Sequence, residues 1–197
     1  IFTLENITLI RRYANEFKNL ECHKVDSNGD WIIGENGEPV MTPCVSNTTC
    51  FTEIQDIGHE KDEAGDLAVI TDLVPSYPEP GSPEAKEKAD EIAASLAKVK
   101  KHVRTLDHVN GFLVSDDGKA AAVYAQVDDV NVGIKEAADK IKERLLSIRA
   151  EMNADVEVYY GGSPFIGSYS ADQARTDMTK LTPWVILIVT AIIWITS

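Results

Sequence analysis

The chain has 197 residues, 44% hydrophobic and 26% charged, enough apolar matter for one sizeable core and too much for a disordered segment. Its formal net charge of -13 argues against nucleic acid and against peripheral binding to anionic lipid, since both need clustered Lys and Arg. The one basic cluster, KVKKHVR at 98–104, ends a helix that opens on the acidic PEAKEKADE, an order that suits the helix dipole.

Leu4, Ile7, Ile10, Ala14, Phe17 and Leu20 recur at three- and four-residue spacing behind Thr3, which predicts an amphipathic helix with a Thr N-cap. "LECHKVDS" then reads as a strand. "SNGDWIIGENGEPV" reads as turn, short strand, turn, and "DLAVITDLVP" as a strand ending at Pro75. A stiff connection, "PSYPEPGSP", leads to Ser82 and Pro83, a cap and a first-turn proline for a helix with the stripe Ile92, Leu96, Val99, Val103.

"GFLVSDDGKAAAVYAQV" predicts a β-hairpin, with Gly118 supplying the positive φ of its turn. Ile134, Ala138, Ile141, Leu145, Ile148 and Met152 mark a further helix, and "DVEVYYGG" a half-buried strand closed by two glycines. A last helix starts near Ser168 and enters the apolar run "TKLTPWVILIVTAIIWITS", with a break or kink expected at Pro183.

With one strand placed in front, this order is the split βαβ pattern of a ferredoxin-like α+β fold. Residues 1–26 and 84–167 are then the core, 27–83 an inserted lobe and linker, and 168–197 a helix leading into a membrane segment. The run from Trp184 onward carries no charge but falls short of the roughly 20 apolar residues that span a bilayer as a helix. Trp184 beside Lys180 has the character of a water-to-lipid boundary. A chain that opens on a helix and closes inside an apolar run reads as a loop between two membrane helices. A buried core helix is the other reading of the tail.

"YYGGSPFIGSYSADQARTDMTKLTPWVILIVTAIIW" resembles the end of the first extracytoplasmic loop of transporters of the resistance-nodulation-division (RND) superfamily. The matching positions are Gly162 and Pro164 of the Gly-x-Pro turn, Asp177 of the following helix, and Leu181 with Pro183 before the membrane helix. "GFLVSDDGKAAAVYAQVDD" is similar to the family's hairpin and "FTLENITLIRRYANEFKNL" to its opening helix, with residues 27–80 the weakest part of the likeness. The compact loop is closer to the hopanoid and mycobacterial large membrane protein (MMPL) branches than to multidrug pumps.

The resemblance implies a porter domain forming one wall of the substrate path of a proton- or cation-driven exporter of hydrophobic or amphiphilic molecules. Its partners would be the second extracytoplasmic loop and the membrane helices of the same transporter, with the C-terminal stub in the membrane and an oligomer possible. It would face the periplasm or exterior from a bacterial or archaeal cytoplasmic membrane. Trp31, Phe112 and Tyr159 are candidate path residues, against the plainer role of aromatic packing. A membrane-anchored sensory or ligand-binding module is the alternative.

No catalytic, cofactor or metal residue is assigned. The four histidines stand in separate segments, and Ser163 in "GGSPF" lacks the second glycine of a nucleophile elbow. The acid pairs Asp116–Asp117 and Asp128–Asp129 suit a turn and a strand end, and "EKDEAGD" a solvated loop. Among the three cysteines, Cys44 and Cys50 bracket "VSNTT" and are expected to pair in an oxidising compartment, leaving Cys22 as the odd thiol. A zinc site from Cys22, His23, Cys44 and Cys50 is the competing reading, without the usual C-x-x-C spacing.

Overall fold

A computed structural model describes residues 1–57 and 70–196. The elements are α1 (Leu4–Asn19), β1 (Glu21–His23), β2 (Met41–Pro43), β3 (Val45–Cys50), a 3-10 turn (Phe51–Glu53), β4 (Gln55–Ile57), β5 (Ile70–Asp72), α2 (Pro83–Glu87), α3 (Ala89–Val103), β6 (Val123–Val127), α4 (Ile134–Glu151) and α5 (Ser163–Thr196). The fold is mixed α+β. Among the described residues its strands make three two-stranded antiparallel sheets, β1 with β2, β3 with β6 and β4 with β5.

Helix α1 starts where Thr3 Oγ1 accepts the Asn6 N–H at 3.3 Å. It buries more than the predicted stripe. Ile7, Ile10 and Ala14 enter one cluster with Phe51, Leu96 and Val103, while Leu9, Tyr13 and Phe17 enter a second with Ile141, Leu145 and Ile148. Ser82 Oγ accepts the Ala85 N–H at 3.1 Å and caps α2. The helix predicted from Pro83 then jogs at Lys88 (φ -98, ψ 18) before α3 carries the predicted stripe into the first cluster. In α4 the stripe is buried from Ala138 to Ile148, Ile134 is exposed, and Met152 lies just past the helix and is half-buried.

The strand expectations need correction. β6 pairs with β3 in the register Cys50↔Val123 to Val45↔Val127 rather than folding back on residues 112–114. The chain from Asn110 to Val114 is a tight turn in which the Leu113 and Val114 N–H groups both donate to the Val109 carbonyl, at 2.8 and 3.0 Å. Gly111, at φ 77, lets it bend there, so "FLV" is too short and too curved to serve as a hairpin arm. Only the bridge Val114↔Ala121 remains of the expected pairing. The Ser115–Gly118 turn itself forms, with Gly118 at φ 70 and its N–H 2.8 Å from the Ser115 carbonyl.

Residues 155–160 show the expected alternation, with Val156, Val158 and Tyr160 half-buried against the second cluster, but they are not a strand because no neighbour pairs with them among the described residues. β3 and the fully buried Phe51 lie inside 27–83, so part of the supposed insertion belongs to the core. The turn-strand-turn at 26–40 survives as the bridges Val25↔Trp31 and Ile33↔Pro39. Of "DLAVITDLVP", Ile70–Asp72 forms β5, and residues 66–69 lie outside the described residues, as does the "EKDEAGD" run up to Asp66.

The disulfide joins Cys22 to Cys44, with Cα atoms 5.0 Å apart, and not Cys44 to Cys50; Cys50 is a buried free thiol. β3 runs extended between the two predicted partners, and its length of ~17 Å exceeds the ~7 Å Cα separation a disulfide tolerates. Cys22, paired with Thr42 across β1 and β2, instead faces the residue that enters β3, and the Cys44 N–H donates to the Leu20 carbonyl at 2.8 Å. With a separation of 22 residues, the bond stabilises the fold by about 3 kcal/mol through loop closure. Chemical denaturation of Cys22→Ser is expected to show a loss of that size, and non-reducing peptide mapping to recover a Cys22–Cys44 linked pair with Cys50 alkylated only after unfolding.

Candidate functional site

Helix α5 leaves the body at Gly162, whose φ of 98 turns the chain and whose carbonyl accepts the Ile166 N–H at 3.2 Å. Pro164 sits in the first turn, where its missing N–H has no helical partner to lose. The helix therefore starts at Ser163 and not near Ser168. It continues for 34 residues with Pro183 inside it, so the break considered there does not form. Thr179 and Thr182 hydroxyls donate back to the Arg175 and Met178 carbonyls at 2.9 and 2.6 Å on the turn leading to the proline.

The family-motif positions are thus spread along one helix and do not converge. Asp177 accepts from Gln173 Nε2 at 3.0 Å on the helix surface, and Leu181 and Trp184 project from it, each more than half exposed. Val185–Val189, Ile192, Ile193 and Trp194 are exposed too. In water this would be unfavourable by roughly 1.5–3 kcal/mol for each large side chain. The stretch Ser163–Trp194 is long and apolar enough to cross a membrane.

The base of α5 is clamped to α4. Lys135 Nζ lies 2.9 and 3.1 Å from the two Asp172 oxygens and 3.3 Å from Asp139, and these bonds push its pKa up. Tyr160 and Phe165 pack ring to ring at 5.3 Å beside a groove of about 390 Å³ lined by Ala138, Lys142 and Tyr169.

The three aromatics proposed for a substrate path are exposed: Trp31 56%, Phe112 63% and Tyr159 84%. No ring contact joins any two of them among the described residues. Trp31 stacks on His23 at 4.2 Å, His23 Nδ1 lies 2.8 Å from Glu136 Oε1, and Lys140 approaches the same carboxylate at 2.9 Å. Burial pushes the Glu136 carboxyl up, but the bonds from Lys140 and the His23 N–H outweigh it and hold it below the usual range. Phe112 stacks on Tyr124 at 5.2 Å, and the Tyr159 hydroxyl donates to Glu157.

On the second face of α1 the predicted stripe includes Phe17 but misses Leu9 and Tyr13. Leu9, Tyr13 and Phe17 line a groove of about 660 Å³ together with Leu145, Ala121, Val123 and residues 155–159. Tyr13 was the available signal, one position off the apolar stripe and adjacent to Ala14. Beside this groove a charged network ties α1 to α4: Arg144 donates to both Glu16 oxygens at 3.0 and 2.8 Å and to Glu151 at 3.3 Å, and Arg12 also binds Glu151. The Arg144 bonds hold the Glu16 carboxyl below its ordinary value. Among the described residues no group of three or more His, Cys, Asp or Glu is placed to hold a metal ion, and the bond between Cys22 and Cys44 occupies two thiols of the zinc reading.

A family model, that of the MMPL family, matches residues 51–197, from the core strand's end through α5. The chain belongs to the MMPL family. No curated protein and no solved structure matches it. The MMPL domain is accordingly part of a larger membrane transporter of the RND type, and α5 is the element of it suited to the bilayer.

Two outcomes follow for the MMPL domain. A carboxyl whose folded pKa is depressed contributes stability above the unfolded pKa of about 4.3 and loses it as pH falls through the folded value. Glu16→Gln is therefore expected to flatten the acid limb of a thermal-melt series below about pH 4.3 while changing the neutral-pH slope little. A chain ending at Lys180 is expected to sediment as a monomer without detergent, whereas the 197-residue chain needs detergent or self-associates. Identical sedimentation of the two would show the apolar helix to be an ordinary core element.

Proposed function

We propose that this MMPL domain is the extracytoplasmic wall of a substrate path in a proton- or cation-driven exporter of hydrophobic or amphiphilic molecules. The observation that carries the proposal is a family match running without interruption from the folded body into an exposed apolar helix. A disulfide fits a domain on the oxidising side of the membrane, facing the periplasm or cell exterior. The apolar end of α5 has no charged residue after Lys180, so the proton or cation step belongs to membrane helices outside these residues. The remaining partners are the second extracytoplasmic loop and those helices.

In this proposal the core is a ferredoxin-like split βαβ frame. β6, α4 and the extended residues 155–160 form one strand-helix-strand unit, and α1 with β3 supplies the helix and strand of the other. Trp31, Phe112 and Tyr159 are apolar surfaces already open to an amphiphile, each held in place by a neighbour and none needed for the core. Surface substitutions of this kind change stability by only about 0.5 kcal/mol.

The test uses the full-length transporter in proteoliposomes with an imposed pH or sodium gradient and a fluorescent long-chain amphiphile. Trp31→Ala, Phe112→Ala and Tyr159→Ala combined are expected to lower the export rate about tenfold, the loss of roughly 1.4 kcal/mol of contact, at unchanged membrane abundance. Undiminished export by the triple variant would remove these residues from the path. Absence of gradient-driven export by the unaltered protein would remove the exporter reading.

A further inference from the structure

Helix α3 carries two lengthwise stripes. Ile92, Leu96, Val99 and Val103, spaced four, three and four residues apart, are buried in the first cluster. Asp90, Ala94, Ala97, Lys101 and Arg104, the last at the C-cap, are spaced four, three, four and three apart, so they too share one side of the helix. All five are exposed. Along this second stripe the charge changes sign, from an acid through two alanines to two bases. Glu87, the last residue of α2 and also exposed, adds an acid three residues ahead of Asp90.

These charges have no answer within their own chain. Asp90 and Lys101 are eleven residues apart, about 16 Å along the helix axis, too far to pair with each other. Among the described residues neither they nor Glu87 nor Arg104 form an ion pair, although the neighbouring Glu84 and Lys88 do. The helix dipole favours acids early and bases late. It does not align them on one seam, nor leave the middle of that seam to side chains one carbon long. Small side chains at a crossing let a second helix approach to the near end of the 8–10 Å packing range.

We infer that this stripe is a contact between two copies of the chain, α3 lying antiparallel on α3 of the second copy about a two-fold axis between Ala94 and Ala97. In that register Asp90 meets Lys101 of the second copy, Ala94 meets Ala97, and Arg104 reaches Glu87, and the axis repeats each contact. A parallel pairing would set Asp90 on Asp90 and Lys101 on Lys101. Other acidic surfaces of a chain with a net charge of -13 would attract Lys101 and Arg104 but repel Glu87 and Asp90, so the surface that answers both ends of the stripe is the stripe itself, reversed. One face of a 15-residue helix, about 22 Å long, covers less than the roughly 1,200 Å² of a stable complex. The body freed from its apolar helix is therefore monomeric, and pairing takes hold where α5 confines two copies to one bilayer and raises their effective concentration. The contact rests on that anchoring and on no transport step.

The test is cross-linking of the 197-residue chain carrying Ala97→Cys, in phosphatidylcholine liposomes, with a short bismaleimide. Cys22 and Cys44 are bonded and Cys50 is buried, so the introduced thiol is the one that reacts. A cross-linked dimer is expected. Asp90→Lys or Lys101→Asp alone is expected to lower its yield roughly fivefold, because each turns two symmetry-related attractions into repulsions, and the two together are expected to restore it. The substituted positions are all exposed, and recovery of the Cys22–Cys44 bond reports that each variant has folded. No dimer from Ala97→Cys overturns the contact. A yield unmoved by either reversal shows collision or association through α5 and overturns it as well. Loss in the single variants without recovery in the double one assigns the stripe to a different protein surface and overturns the pairing of copies. Failure of gradient-driven export leaves all of these outcomes unchanged, so the two proposals fail separately.

Discussion

Everything in the body leans on one helix that is buried on two faces. α1 gives Ile7, Ile10 and Ala14 to the cluster built by α3 and Phe51, and Leu9, Tyr13 and Phe17 to the cluster built by α4 and the disulfide. β3 repeats the division, with Cys50 in the first cluster and Val45 in the second. Neither cluster closes without this shared wall. The polar stripe left to α1 is narrow, and its charges are used as ties: Arg11 donates to the Pro75 carbonyl at 2.8 Å, Arg12 and Glu16 reach α4, and Lys18 meets Glu53. A helix so enclosed can tolerate few changes of volume, since truncating a buried Leu, Ile or Phe costs about 2–5 kcal/mol.

The disulfide acts on the same wall from its C-terminal end. β1 leaves α1 directly through Leu20, and the bond fixes Cys22 to Cys44, the residue before β3. β1, β2 and the turns at 26–40 thereby become an outlying flap, tied to the body by the disulfide, by the Val25 N–H donating to the Asn131 carbonyl at 2.8 Å and by His23 on Glu136. Its outer surface carries Trp31 stacked on His23, and His23 is anchored to Glu136 on α4. The exposed indole is therefore held by an ionisable neighbour and a covalent tie rather than by a core, which keeps it in place while leaving more than half of it open.

What was readable in the sequence followed local physics. The helices announced themselves through three- and four-residue spacing, and Thr3 and Ser82 cap as their positions suggest. Gly118 and Gly162 take the positive φ their turns require. Strand pairing is non-local, and there the sequence was a poor guide: "FLVSDDGKAAAV" carries a hairpin's signals, yet the better edge for β6 lies seventy-odd residues earlier in β3. The cysteines misled for the same reason, because nearness in sequence is opposed by an extended strand between Cys44 and Cys50. The candidate aromatics could be named individually, but their separation on the surface depends on packing that no local pattern encodes.

The remaining element, α5, links body and membrane without a loop. An unbroken helix of 34 residues is about 50 Å long, more than the roughly 30 Å of a hydrocarbon core, so its first turns must stand outside the bilayer. Those are the turns that Lys135 and Tyr160 hold against α4. The Lys135–Asp172 pair is exposed and screened by water, so it is a weak tie, and the Tyr160–Phe165 ring contact adds an apolar one beside it. Upstream of the clamp stand Gly161 and Gly162, with no Cβ to resist rotation, and the unpaired residues 155–160. The helix thus joins the body through two glycines and an extended segment at one end of the groove between β6 and α1, with its first turns fixed to α4.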